Sequence, residues 1–378
     1  MNYANEHELA QFIKQRNHPL EIVGGATRRL GLPLNLEQIN VTQFNTIKLY
    51  EPSALTLIAG AGCKLTDIIA LLKENGQMLP FEPIDMRGLL NTTGDSTLGG
   101  MIATNASGSR RVKVGACRDF VLGLRFINGE GKILKTGGRV MKNVTGYDLV
   151  KLLCGSHGTL GIITEVSIKV LPAPEHTSVI LAEGLSEFKG LDALRKSLAS
   201  PYEVSGAAHL VSGQDGNSVT MIRIEGTVQS VNYRVHELTQ LLSPLGSINV
   251  ESDPEKTRLG WDYVSNVKPF WNQPGDVWKI VIKPTEAIEQ INKIRERTTS
   301  DVIYDWGGGL VWVLVPEGTP LREYLGTFPG YATLIRGSQT TLNHMPVFHP
   351  KDKPLQDLTT RIKRQFDPQN HFNRGFNI

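Results

Sequence analysis

Two glycine-rich runs hold the residues best placed to do chemistry. The first, Gly24-Gly25-Ala26-Thr27-Arg28, follows a short apolar stretch, Leu20-Glu21-Ile22-Val23. The second is Gly94-Asp95-Ser96-Thr97-Leu98-Gly99-Gly100-Met101-Ile102-Ala103-Thr104-Asn105-Ala106-Ser107-Gly108. Each offers consecutive backbone N–H groups with no bulky side chain over them. Such nests hold pyrophosphate oxygens without needing a lysine. Ser96, Thr97 and Ser107 add hydroxyl donors. A tight turn plus a small-residue packing surface is the other reading of either run alone; the two together, in this order, favour a ligand. Other phosphate devices are missing from the sequence. There is no G-x-x-x-x-G-K-[ST] run, which argues against a P-loop hydrolase. Gly60-Ala61-Gly62-Cys63-Lys64-Leu65 begins like a dinucleotide fingerprint but lacks its third glycine. Neither a G-x-S-x-G elbow nor an H-E-x-x-H zinc motif occurs.

The elements around these runs are legible as patterns. Leu9, Phe12 and Ile13 predict a helix over 6–16, and 20–23 a strand entering the first glycine run. Strands are predicted over 47–50, 56–59, 120–127, 132–136 and 161–170. A helix over 65–75 has Thr66 as its expected cap and Gly76 as its stop. Residues 147–153 read as helical. Pro172 and Pro174 mark an expected domain boundary. Beyond it, strands over 177–182, 218–225, 278–283 and 309–315 alternate with helices over 186–200, 229–242 and 285–298, which predicts a small α+β domain over one sheet. A helix over 355–366 leads to an irregular tail. The expected division is 1–175, 176–345 and 346–378.

Composition narrows the class. The chain has 378 residues, 38 of them glycine, roughly one in ten against a usual ~7%. The net charge is +3 and no basic run stands out, which argues against a nucleic-acid binder. No apolar stretch approaches the ~20 residues of a membrane span, and the polar start, Met1 to Glu8, is unlike a signal peptide. Cys63, Cys117 and Cys154 are few and scattered, as in a reducing compartment, and form no CxxC pair for an iron–sulfur or zinc site. The expected location is cytoplasmic, with any membrane contact peripheral and made through partners.

Here a resemblance adds to the reading. The run from Thr97 to Gly108, then Arg118-Asp119-Phe120-Val121-Leu122-Gly123, resembles the FAD-binding PCMH-type domain of the vanillyl-alcohol oxidase superfamily, the FAD-linked oxidases. Val140-Met141-Lys142-Asn143-Val144-Thr145-Gly146-Tyr147-Asp148-Leu149 and Gly155-Ser156-His157-Gly158-Thr159-Leu160-Gly161-Ile162-Ile163-Thr164-Glu165 continue it, as do Phe366-Asp367-Pro368 and Phe372-Asn373-Arg374-Gly375. The likeness is strong over about 20–175, weak over 176–345 and recovered at the tail. It implies an α+β fold: a two-subdomain FAD-binding domain plus a smaller α+β cap. It implies that Gly24, Gly25, Ala26, Thr27 and Arg28 form the pyrophosphate loop, although Ala26 stands where a third glycine is usual. Gly94, Ser96, Thr97, Leu98, Gly99, Gly100, Ala106, Ser107 and Gly108 match the second pyrophosphate and ribityl segment. Gly161, Ile162 and Ile163 match an adenine-contacting edge. Asn373 matches a tail position near the flavin, with Arg374 replacing the usual proline. No His or Cys lies in 24–32 and Cys117 is a poor match for a covalent attachment point, so FAD is expected to be non-covalent.

Within that family the short chain and the Met141–Asp148 run resemble the small flavin subunits of multi-subunit glycolate (D-2-hydroxy-acid) dehydrogenases. That implies glyoxylate production together with a catalytic FAD subunit and an iron–sulfur subunit. Relatives that oxidise 2-hydroxy acids carry H-x-D-G-N-x-H and E-H-G runs in the cap, and this chain has neither. His344 and His349 are five apart, the wrong spacing for a helical ligand pair, so no metal site is expected. No catalytic residue is assigned. Three rivals stay open: a self-sufficient flavin oxidoreductase for another alcohol or lactone, a scaffold subunit without FAD, and, more remotely, a cell-wall precursor reductase. Arg110-Arg111 suits a pyrophosphate, a partner surface or solvent. Lys142 and Tyr147 could face the flavin or serve structure. Trp306 could stack on the flavin ring or fill a core. Trp261, Phe270 and Trp271 could make a partner interface or a cap core.

Overall fold

The computed structural model describes residues 3, 5–138 and 147–376. Asn5 starts the first helix, Glu6–Gln15: its Oδ1 accepts from the N–H groups of His7 and Glu8 at 3.0 Å, and the helix buries Leu9, Ala10 and Ile13. The strand Leu20–Val23 pairs in parallel with Glu37–Asn40, and Phe372 from the tail bridges to Leu20. A five-stranded antiparallel sheet follows, in the order Ile47–Glu51, Thr56–Gly60, Ile162–Lys169, Val121–Ile127, Ile133–Gly137. Its central strand, Ile162–Lys169, is buried at six of eight positions, as a strand covered on both faces must be.

The helix Leu65–Glu74 begins earlier than the expected Thr66 cap would allow. Its cap position is Lys64, with no side-chain bond. The first donor is satisfied from elsewhere: Leu65 N–H donates to the Ser96 carbonyl at 2.8 Å. Leu98 N–H donates to the Cys63 carbonyl at 2.9 Å and Gly99 N–H to that of Ala61 at 2.7 Å, so residues 61–65 and 96–99 run side by side. This long-range pairing joins the near-miss glycine run at Gly60 to the second glycine segment.

From His176 the chain builds an eight-stranded antiparallel sheet, in the order Ile248–Glu251, His176–Glu183, Val219–Gly226, Gly206–Leu210, Asp301–Asp305, Leu310–Val315, Asp276–Ile282, Gly330–Arg336. Four of these strands, at 206–210, 248–251, 301–305 and 330–336, carry no clear pattern in the sequence, so the sheet of the expected small cap is the largest among the described residues. Alternation sets its two faces. Leu310, Trp312 and Leu314 join the core shared with the first sheet, while Val311, Val313 and Val315 pack under the helices of the other face. Trp261 and Phe270 are 4% and 3% exposed and Trp271 lies against Gly88, so this aromatic stretch is core and not a partner surface.

The last helix, Lys353–Phe366, returns over the first half, resting Ile362 and Phe366 on its core. Buried Asp367 then pins the tail: its carboxylate accepts from His371 N–H at 2.9 Å and Phe372 N–H at 2.8 Å.

Candidate functional site

The strand Leu20–Val23 delivers Gly24-Gly25-Ala26-Thr27-Arg28 directly against the 94–97 turn. A Cβ on Gly25 would lie 1.5 Å from the Asp95 carbonyl oxygen, one on Gly94 1.9 Å from that of Gly25, and one on Gly24 2.5 Å from Thr97 Oγ1. The glycines are there because two backbones meet. Thr27 and Ser96 hydroxyls share a hydrogen bond at 3.0 Å, and Thr97 Oγ1 accepts from Gly100 N–H at 3.2 Å.

Two cavities flank this junction. One is lined by Arg28, Leu30, Leu34, Gly100, Ala103, Thr104, His157, Asn373 and Phe376. The other is lined by Asn40, Thr42, Asn45, Gly62, Cys63, Lys64, Asp67, Gly94 and Asp95. Val23, Gly24, Gly25, Ala26 and Thr97 line both. The first glycine run is thus the common wall of the two cavities, and together they outline a groove of two lobes with that run as its waist. A dinucleotide has that shape, with the pyrophosphate between its two ring systems. Arg28 supplies a cation at the waist. Its guanidinium donates to the Ile84 carbonyl, and its Nε is buried without a partner among the described residues. Burial pushes its pKa down to about 10, partly offset by Asp85, so the group still carries its charge. An orphaned donor beside open backbone nests fits an anionic group.

Asn373 is held at both ends of its amide. Its Oδ1 accepts from Ile22 N–H at 2.8 Å and its Nδ2 donates to the His157 carbonyl at 2.7 Å. The tail therefore locks the strand before the glycine loop to the turn carrying His157. The imidazole of His157 packs with Phe348 and Phe376, ring centroids 5.2 Å apart in each pair. Burial, and then the charge of Lys279, lower its pKa to about 4, so it is neutral at pH 7. Lys64 pairs with Asp95 at 2.8 Å on the wall of the second lobe, and Arg29 pairs with Glu21 at 2.7 Å.

Not every expected contact residue lies on the groove. Leu98 and Gly99 are buried beneath it, pairing with residues 61–63. Ala106, Ser107 and Gly108 sit off both lobes; Ser107 Oγ accepts from Cys117 N–H at 2.9 Å and the Gly108 carbonyl accepts from Trp306 Nε1 at 3.0 Å. Gly161, Ile162 and Ile163 enter the central strand, where a Cβ on Gly161 would meet the Phe126 ring at 2.8 Å. Lys142 is outside the described residues, and Tyr147 is 89% exposed. The Arg110-Arg111 pair is neither solvated nor aimed at the groove. Arg110 is buried against Glu225, and Arg111 lies over the Trp306 ring. His344 and His349 make separate bonds to the backbone at Thr340 and Ala332. Sequence reasoning passed over His157, Phe376 and Lys64. His157 was visible as the one large polar side chain among glycines in Gly155-Ser156-His157-Gly158.

Ala26 has φ 55°, in the left-handed region that glycine enters freely. Ala26→Gly is expected to raise stability by about 1 kcal/mol, the cost of a left-handed residue with a Cβ, less a few tenths for chain entropy. Thermal melting of the two proteins checks this, and a variant that melts lower than the parent sinks it.

Comparison with known proteins bears on the cofactor and the fold. A family model described as an FAD binding domain matches residues 4–137. Glycolate oxidase subunit GlcE of Escherichia coli (strain K12) is 32% identical over 360 residues, 94% of this chain and 92% of that protein. Glycolate oxidase subunit GlcD of Bacillus subtilis (strain 168) is 38% identical over 138 residues, 36% of this chain and 28% of its own length. Among solved structures, alkyldihydroxyacetonephosphate synthase superposes with a TM-score of 0.68 at 14% identity, covering 97% of this chain and 75% of that one, a likeness of fold.

Proposed function

The chain belongs to the family of the glycolate oxidase subunit GlcE, FAD-dependent oxidoreductases, and from that premise we propose that it is the non-covalent FAD subunit of a multi-subunit glycolate (D-2-hydroxy-acid) dehydrogenase. The observation that carries the reading is the two-lobed groove with the Gly24–Gly25 junction at its waist. Bound FAD would supply two-electron chemistry. This chain's part is to hold it. Backbone N–H groups of 24–27 and 94–97 and the Arg28 guanidinium take the pyrophosphate. The His157–Phe376 lobe takes one ring system and the Asn40–Lys64 lobe the other. The thiol at the groove, Cys63, is buried and its pKa raised, which supports non-covalent binding.

Substrate oxidation is assigned to a catalytic flavoprotein partner, with electrons leaving through an iron–sulfur subunit. Among the described residues no group of His, Cys, Asp and Glu is arranged to hold a metal ion. His209 is spent inside the sheet on Thr220 Oγ1 at 2.9 Å. No described helix is long and apolar enough to cross a membrane. The three free thiols support a cytoplasmic home.

The purified chain is expected to show oxidised flavin bands, to release FAD on acid precipitation, and to keep its bands when glycolate or D-lactate is added anaerobically. Bleaching is expected only after the partner subunits are added. Bleaching of the isolated chain would replace this reading with a self-sufficient enzyme; no flavin, even after incubation with FAD, would replace it with a scaffold.

A further inference from the structure

The last helix carries an apolar stripe that this chain covers only in part. None of the residues of Lys353–Phe366 is buried. Its 14 residues are barely enough to hold a helix in water unaided, where even good helix formers need about 12–15. The ties to the body all lie in the last turn and a half. Ile362 and Phe366 rest on the shared core, and Lys363 Nζ donates to the carbonyls of Thr159 at 3.0 Å and Phe372 at 3.1 Å. Residues 352–358 are all exposed. Yet Leu355, Leu358, Ile362 and Phe366 follow one another at helical spacing, on a single face. Leu355 is 48% exposed and Leu358 44%. The stripe that seats the end of the helix on this chain therefore runs on, uncovered, toward its start.

The charges left beside the uncovered part have one sign. Asp352 accepts from Leu355 N–H at 3.0 Å as the cap, and Asp357 pairs with Lys353 at 2.9 Å. Arg361 lies one turn on from Leu358 and Arg364 one turn further; both are exposed, and among the described residues neither makes a hydrogen bond or an ion pair. Two leucines edged by unpaired guanidinium groups complement an apolar recess edged by carboxylates. A lipid surface is the poorer fit, because an interfacial helix sinks its whole apolar face and half of this one is spent on the core. The position also favours a protein. Lys363 ties the helix to the Thr159 turn, and Phe348, just before the cap, packs its ring on His157 and Phe376, which line the first lobe. Whatever docks on the helix docks beside that lobe.

We propose that Leu355 and Leu358, flanked by Arg361 and Arg364, are the seat of a partner subunit whose matching surface is an apolar recess rimmed by Asp and Glu. That the partner is a subunit of the dehydrogenase rests on the function proposed above.

The test uses the full chain with the catalytic flavoprotein and iron–sulfur subunits. Amide hydrogen exchange over 356–361 is expected to slow at least tenfold in the complex. Leu355→Gln with Leu358→Gln keeps good helix formers in place, so flavin spectrum and melting temperature should match the parent. Assembly should weaken about 30-fold, as for half the apolar surface of two leucines. Arg361→Glu with Arg364→Glu should weaken it as well and flatten its salt dependence. Unchanged exchange in a complex that does form, or a Gln variant that assembles as tightly as the parent, would overturn the seat. A Gln variant that melts lower would overturn it too, by giving the leucines a role in this chain's own fold. So would a parent that dimerises through these leucines, or that binds vesicles of phosphatidylcholine and phosphatidylserine through them. A parent that assembles with neither subunit would fail the function proposed above and the partner with it, a result distinct from assembly that ignores the helix.

Discussion

Gly25→Ala is expected to strip the protein of flavin while leaving its fold in place. The added Cβ would stand 1.5 Å from the Asp95 carbonyl oxygen, and the listener on the other side is no softer, because the Gly25 carbonyl already lies 1.9 Å from where a Cβ on Gly94 would be. Both partners are backbone, so no side chain can swing away. One of the two runs must move by more than an ångström, and the waist of the groove loses the register of its N–H groups. An anion held by several convergent donors loses more than one bond when they splay, so the affinity for FAD should fall on the order of 100-fold, about 2.7 kcal/mol. The core beneath is untouched: Leu98 and Met101 are fully buried on the far side of the turn. Circular dichroism should therefore match the parent while the visible spectrum is empty. A Gly25→Ala protein that binds FAD within threefold of the parent would remove the waist from the cofactor site.

That loop was half legible: Gly24-Gly25 after an apolar strand reads as an anion nest or as a tight packing turn, and the close approach of two backbones that makes it glycine shows only in the structure. The fate of the second run was half legible. Its small residues signalled close packing, yet only the structure separates Gly94, Thr97 and Gly100, which face the groove, from Leu98 and Gly99, which lie beneath it. Residues 98–103 form a short helix, and its facing follows from long-range pairing with residues 61–65 that no local pattern encodes. Asn373 was legible as a tail position, but its role as a brace depends on two backbone groups over two hundred residues away.

Arg223→Ala is expected to destabilise the protein by about 3–5 kcal/mol, the cost of leaving a buried carboxylate without its partner. Arg223 is 4% exposed and joins the two halves of the chain. Its guanidinium donates to both oxygens of Glu82, at 2.8 and 2.9 Å, lies 3.6 Å from Glu225, and covers the Trp261 ring at 4.7 Å. Burial alone would raise the Glu225 carboxyl; Arg223 and Arg110 more than offset it and hold its pKa below the usual carboxylate range. Arg110 pairs with Glu225 through its side chain and donates its N–H to Glu82 at 3.1 Å, so four charges form one balanced set. Removing Arg223 alone breaks the balance. Removing Arg223 and Glu225 together leaves Arg110 and Glu82, one charge of each sign, at the same junction. The double variant should therefore lose less than the sum of the single ones, with a coupling of about 1–3 kcal/mol read from denaturant unfolding of all four proteins. Strictly additive losses, or an Arg223→Ala protein within 1 kcal/mol of the parent, would show that the apolar core shared by the two sheets holds them together unaided. The coupling also bears on the cofactor, because Ser109 and Arg110 follow directly on Gly108, the residue that Trp306 grips from the cap. A loosened junction should broaden the fine structure of the flavin bands even where FAD is still bound, linking the charges between the sheets to the environment of the ring.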